Sequence, residues 1–139
     1  MSADEDVYHE LCAYTLTHGD PRFIHQHVVD AWGAQHAQSD SKPIRLVFSL
    51  AGLYLHLERG KTGREVQLIH MKMARRRREW PRLSLPIDRG AVTVVDVMPA
   101  APGGPRDQAI DAWCASVWAG FAEQRASILS ILSDLAIDT

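Results

Sequence analysis

Seven histidines are many for a chain of 139 residues, and an imidazole can ligate a metal, carry a proton or accept a hydrogen bond near neutral pH. On the helix predicted from about 21 to 37, placed at about 100° per residue, His27 falls well inside an apolar arc with Phe23, Ile24, Val28, Ala31, Trp32 and Ala34. Asp30 lies roughly 60° away on the edge of that arc, one turn along. A carboxylate at this spacing can accept the imidazole N–H and fix its tautomer, as a metal-ligating or basic histidine requires. His70 shares a face with Val66, Ile69, Met73 and Ala74, and His9 lies beside Leu16 at the edge of another apolar face. His9, His27, Asp30 and His70 are thus four groups able to meet inside one helical bundle, as nitrogen and oxygen ligands to a divalent metal such as zinc, nickel or iron.

The same residues have a plainer reading. A histidine on an apolar face is more often a hydrogen-bonded core residue than a ligand, because buried polar groups need partners for structural reasons alone. The sequence contains no Glu-x-x-His pair of the kind that builds di-iron bundles, no His-Glu-x-x-His, and no histidines spaced i, i+4. His25 and His36 share a face yet lie roughly 16 Å apart along the helix, too far for one ion. His18 precedes a glycine at a helix end, and His56 sits on a narrow polar seam with Arg45, Ser49 and Arg59. Nucleophilic catalysis finds little support. Cys12 and Cys114 lie on apolar faces, Ser49 lacks a Gly-x-Ser-x-Gly setting, and Gly103-Gly104 lacks the strand and lysine of a phosphate loop.

A second chemistry is anionic recognition. Residues 61–89 hold nine basic and three acidic side chains, a local charge of +6 against -8 in the remainder. Arg75, Arg76, Arg77 and Arg78 form its centre. Consecutive helical residues fan out about 100° apart and make no flat stripe, so a solvated helix end that complements the dipole competes with contact to an anion or nucleic acid. The whole chain carries -2, which excludes a globally basic nucleic-acid binder.

The elements that must position these groups are helices. Ser2-x-x-Glu5 is a capping-box pattern opening a helix over about 4–17 that stops at His18-Gly19. Asp20-Pro21 restarts the chain as cap and first helical residue, and this second helix reaches about Ala37. Pro43 opens a third, which Gly60 closes; apolar residues nearly encircle it, as in a helix buried by several neighbours. Thr62-x-x-Glu65 caps a fourth, ending near Trp80-Pro81. From 81 to 105 lie five of the seven prolines, a long loop of the kind that covers something or moves; within it Val92–Val97 is a short β-like patch. A fifth helix, from about 106 to 136, has Ile110, Trp113, Cys114, Val117, Trp118, Phe121, Ile128 and Leu132 at a 3.6-residue period. The expectation is an all-α, five-helix, bundle-like single domain over 1–139, with 81–105 as a wrapping loop. No signal peptide and no apolar run of about 18 residues is present, so no membrane partner is expected. Two cysteines rule out a disulfide scaffold and suggest a reducing, cytoplasmic setting.

The string His27-Val-Val-Asp30-Ala-Trp-Gly-Ala-Gln35-His36 stands out from these patterns. Together with Gly52-Leu-Tyr-Leu, Trp80-Pro81, Thr93-Val-Val-Asp96-Val and Ser116-Val-Trp118, it resembles a bacterial family of small helical proteins known as a domain of unknown function. The likeness runs from about His9 to Arg125. Its most recognisable piece is Val-Asp-Ala-x-x-x-Gln-His, here Val29, Asp30, Ala31, Gln35 and His36. The resemblance implies no reaction, substrate or cofactor. Some members carry a cysteine-rich N-terminal extension, and zinc binding by such an extension is not implied for this sequence.

Three functional readings follow. One is a cytoplasmic binding module holding a metal ion or small polar ligand at the interior His/Asp cluster, under the 81–105 loop. Another is a metal-dependent hydrolase or transferase with His27 as ligand or base and Asp30 orienting it. The last is a protein-interaction or anion-contacting domain acting through Arg75–Arg78. Nucleic acid is the less expected partner, and homo-oligomerisation is compatible with all three.

Overall fold

The computed structural model describes residues 3–18, 20–76 and 78–137. Among them the chain is all-helical: α1 (Ala3–Thr17), α2 (His25–Gln35), α3 (Pro43–Leu57), α4 (Gly63–Ala74), a single turn α5 (Val94–Val97), α6 (Gly104–Gly120) and α7 (Arg125–Asp134), the last two joined by a 3-10 turn at Ala122–Gln124. The expected capping box at Ser2, and Gly19 and Arg77, lie outside the described residues.

α3 is the axis. From Leu46 to Leu55 every residue but the half-buried Phe48 is buried, and α2, α4, α6 and α7 pack around them. Pro43 starts it, where a missing N–H costs nothing. Gly60 ends it at φ 68°, while the Lys61 N–H donates back to the Leu55 carbonyl. α4 begins at the expected box: the Glu65 N–H donates to Thr62 Oγ1, and the Thr62 N–H to the Glu65 carboxylate.

Four boundaries differ from the sequence reading, each for a local reason. α2 starts at His25 because the Asp20 carboxylate accepts from the N–H groups of Arg22 and Ile24, and Phe23 adopts φ 59°. That turn seats the N-terminus of α4, where the Arg64 N–H donates to the Arg22 carbonyl. A Cβ at Gly63 would come within 1.8 Å of the Phe23 oxygen, so only glycine fits. α4 ends at Ala74 and not near Trp80, since no described residue between Met73 and Trp80 is buried to hold further turns. The Val92–Val97 patch forms the α5 turn, with the Thr93 N–H on the Asp96 carboxylate and Val94 and Val97 buried one turn apart. Lastly, the predicted fifth helix is two. It breaks at Gly120, where a Cβ would meet the Arg89 Cα at 2.8 Å: the 81–93 segment crosses there.

Polar side chains fasten that segment to the helices. The Gln35 side-chain amide donates to the Val92 carbonyl and accepts from Trp113 Nε1, both at 2.8 Å. Arg89 donates to the Gln35 and Ala37 carbonyls at the open end of α2. Arg82 bonds the carbonyls of Ser39 and Ser41, and Gln124 bonds Ser84.

Candidate functional site

α2 carries both predicted interior groups, and the structure sends them to different clefts. His27 is 4% exposed, between the start of α2, the end of α3 and the start of α6. Its ring stacks on that of His56, with centroids 3.5 Å apart and planes 16° from parallel. His56 Nε2 lies 2.8 Å from Asp111 Oδ1, a hydrogen-bonded pair that is ionic when the ring is protonated. His27 Nδ1 is buried and has no hydrogen-bond partner. Burial first, and the adjacent His56 second, push the His27 pKa down to about 3, so the ring is neutral at physiological pH.

These rings wall a cleft of about 450 Å³ that Asp20, Asp107, Arg22 and Lys61 also line. The Asp107 carboxyl is raised above its ordinary value, by burial and then by the charge of Asp20; His18 opposes this, and Asp111 adds to it. No residue of 81–105 lines this cleft, so the His27 site does not lie beneath that loop as expected.

Asp30 takes no part in it. The carboxyl group is 2% exposed and turned toward α3, where Gly52 leaves it room: a Cβ there would lie 1.9 Å from Asp30 Oδ2. Oδ1 accepts from Gln26 Nε2 at 3.1 Å, and Oδ2 has no partner. Burial raises this carboxyl well above the usual carboxylate range, and the Gln26 bond only partly offsets it. Asp30 does not hold the His27 proton: its carboxyl accepts from Gln26, and His27 Nδ1 has no partner.

His70 is inward-facing as read from the sequence, and it faces the Asp30 cleft, not His27. Its Nε2 donates to the Phe48 carbonyl at 2.8 Å, which fixes the tautomer because a carbonyl can only accept. His9 is exposed. The set His9, His27, Asp30 and His70 is therefore not assembled, and among the described residues no group of three His, Cys, Asp or Glu side chains is placed to hold a metal ion. The 60° between positions 27 and 30 is enough to put one each side of the α2–α3 contact.

Residues 5–122 match the family described as "Family of unknown function (DUF5946)". The chain belongs to that family. The matched span is close to the stretch from His9 to Arg125 that carried the resemblance. No curated protein and no solved structure matches the chain.

In this family member the residues of the Val-Asp-Ala-x-x-x-Gln-His string divide by role. Ala31 is core and Gln35 is the clamp on the 81–93 segment. His36 stacks on Trp32 at 3.6 Å, and Trp32 stacks on Tyr8 at 4.2 Å. Val29 and Asp30 line the second cleft. Cys114 is wholly buried, its thiol raised by that burial and directed at the His27 carbonyl. Arg75, Arg76 and Arg78 are exposed beyond the end of α4, with the Arg78 guanidinium over the Trp80 ring. No described helix is long and apolar enough to cross a membrane.

Sequence reasoning missed His56 and Asp111. The signal for His56 was its place on the polar seam of an otherwise apolar helix. Asp111 gave none, since it is an exposed acidic residue 55 positions away.

Proposed function

We propose that this protein is a small cytoplasmic binding module whose ligand, a small polar molecule bearing a positively charged nitrogen, enters the cleft walled by His27, His56 and Asp111. One observation carries this reading. His27 Nδ1 is buried at that wall with no partner, and an unsatisfied buried polar atom costs about 1–3 kcal/mol. A ligand in the cleft can supply the missing partner once a small shift of the His27 ring uncovers Nδ1. The lining supports the charge: Asp20, Asp107 and Asp111 lie close enough for Asp107 to be perturbed by both, which favours a cation, while Arg22 and Lys61 suit an anionic end on the same molecule. Free Cys12 and Cys114 agree with a reducing compartment.

The test is a titration of arginine, histamine and agmatine, following the imidazole nitrogens of His27 and His56 by NMR. A saturable shift with at least one of them, weakened about tenfold or more in Asp111→Asn, is expected. Unmoved imidazole signals for all three at about 10 mM would refute the reading, since that corresponds to binding weaker than about 3 kcal/mol.

A second reading rests on the His56–Asp111 pair itself. With Nε2 committed to the carboxylate, Nδ1 is the nitrogen left to accept a proton, the arrangement of a general base. Turnover of any ester or amide in a panel, lost in His56→Gln with the fold intact, would favour it over simple binding.

A further inference from the structure

We propose that the solvent-facing side of α4 is a docking surface for a second copy of this chain, and that it receives α1 of that copy. At about 100° per residue, Arg64, Leu68, Met71 and Arg75 fall within an arc of roughly 60°, opposite the buried Val66, Ile69 and Met73. All four are exposed, Leu68 at 51% and Met71 at 49%. Two adjacent large apolar side chains on a helix already packed through its other face are what an interaction surface offers. Here a cation stands at each end of the pair, and the exposed Lys72 lies at its edge.

Charge names the occupant. Residues 61–89 carry +6 and the remainder of the chain -8. A second copy therefore brings the acidic surface that complements this face, whereas a polyanion such as nucleic acid meets repulsion from the rest of the molecule. The matching element is α1, which holds Asp4, Glu5, Asp6 and Glu10 and no lysine or arginine. Asp6, Glu10 and Ala13 are exposed within roughly 60° of one another, and Leu16, 58% exposed, flanks Ala13. Run antiparallel, the two helices register. Asp6 precedes Ala13 by about two turns, roughly 10.5 Å, and Arg75 lies the same distance beyond Leu68. Ala13 opposite Leu68 thus sets Asp6 opposite Arg75 and Glu10 beside Lys72, and leaves Leu16 to cover Leu68. The small side chain of Ala13 lets the helices approach. Among the described residues Asp6, Glu10, Lys72 and Arg75 take part in no ion pair within the chain. One helix pair is smaller than a standard interface, so the association is weak and salt-sensitive. None of these residues lines the His27 cleft, and the two proposals stand or fall separately.

Sedimentation velocity of the unmodified protein between about 10 µM and about 1 mM should show association at low salt that weakens at high salt. Asp6→Lys and Arg75→Glu should each weaken it about fivefold or more. Mixing the two variants should restore it, because each new charge then faces its opposite on the other variant. Leu68→Ser should weaken association as well, and Asp111→Asn should leave it unchanged. The substituted residues are exposed, and far-UV circular dichroism checks the fold; should Asp6→Lys unwind the start of α1, Arg75→Glu and the salt response decide. A chain still monomeric at about 1 mM in low salt, association indifferent to Arg75→Glu, or no recovery on mixing the folded variants would each overturn the proposal. So would a monomer that binds duplex DNA or phosphatidylserine vesicles through Arg75.

Discussion

Gly52→Ala should be harmful only because of Asp30, and a double-mutant cycle can show it. In the middle of a helix, alanine is favoured over glycine by about 1 kcal/mol. Here the new Cβ would stand 1.9 Å from Asp30 Oδ2, 2.5 Å from its Cγ and 3.1 Å from Oδ1, and these three are its nearest neighbours. A carboxyl only 2% exposed has little space to retreat into, and overpacking of this kind costs about 1–3 kcal/mol, occasionally more. The net effect in the unmodified protein is a loss of up to about 2 kcal/mol. In Asp30→Ala all three clashing atoms are gone, so Gly52→Ala should then be neutral or stabilise by up to about 1 kcal/mol. The coupling energy is therefore about 1–3 kcal/mol. Urea unfolding followed by far-UV circular dichroism at pH 7 measures all four corners of the cycle. Equal effects of Gly52→Ala in the two backgrounds, within about 0.5 kcal/mol, would show that Asp30 does not occupy the space opposite Gly52.

Protonation supplies the next expectation. The folded-state pKa of His27 is about 3, below its ordinary 6.5, so the unfolded chain binds the extra proton and stability falls as pH drops from about 6.5 toward 3, by up to about 1.4 kcal/mol per pH unit from this group. Asp30 is shifted upward, so its contribution has the opposite sign: it is lost as pH rises above the unfolded value, and Asp30→Asn should gain on the unmodified protein between pH 4 and 8. Urea melts of His27→Gln and Asp30→Asn across that range check both, and a difference from the unmodified protein that stays constant with pH would contradict them. Separately, Gln35→Leu strands the Trp113 N–H and the Val92 carbonyl; we expect a loss of about 2–3 kcal/mol and faster proteolysis within 81–93, and an unchanged cleavage rate there would argue against the clamp.

The helices were legible where a local signal named its own partner. Thr62 and Glu65, Pro43, and the encircling leucines of α3 each act within one or two turns, so the chain alone specifies them. The misplaced boundaries were set by distant segments. The break after Gly120 exists because Arg89 crosses it, and α2 starts late because the turn at Phe23 carries the N-terminus of α4. Periodicity reported that His27, Asp30 and His70 point inward, and they do. It could not report which inward space each one enters, because that depends on how α3, α4 and α6 are rotated about α2. The pairing of His56 with Asp111 spans 55 positions and had no periodic trace at all.

The small residues facing α2 explain how two polar side chains one turn apart reach different clefts. Gly52 receives the Asp30 carboxyl, and a Cβ at Gly33 would meet Ser49 Oγ at 2.4 Å, so α2 and α3 run close along this line. A close contact leaves no shared interior for His27 and Asp30; each is displaced to one flank, with the Cys114 thiol against the His27 carbonyl on the α6 side. Among the described residues the two buried side-chain atoms left without partners, His27 Nδ1 and Asp30 Oδ2, are the ones on these flanks. Together they cost about 2–6 kcal/mol, a large share of the about 5–15 kcal/mol that keeps a domain folded. A purely structural core would relieve that cost by a leucine at position 27 or 30, since replacing a buried polar group with an apolar one of similar shape is often neutral or better. The two atoms sit on opposite flanks of the helix contact, the His27 ring in the wall of the cleft shared with His56 and Asp30 Oδ2 against Gly52.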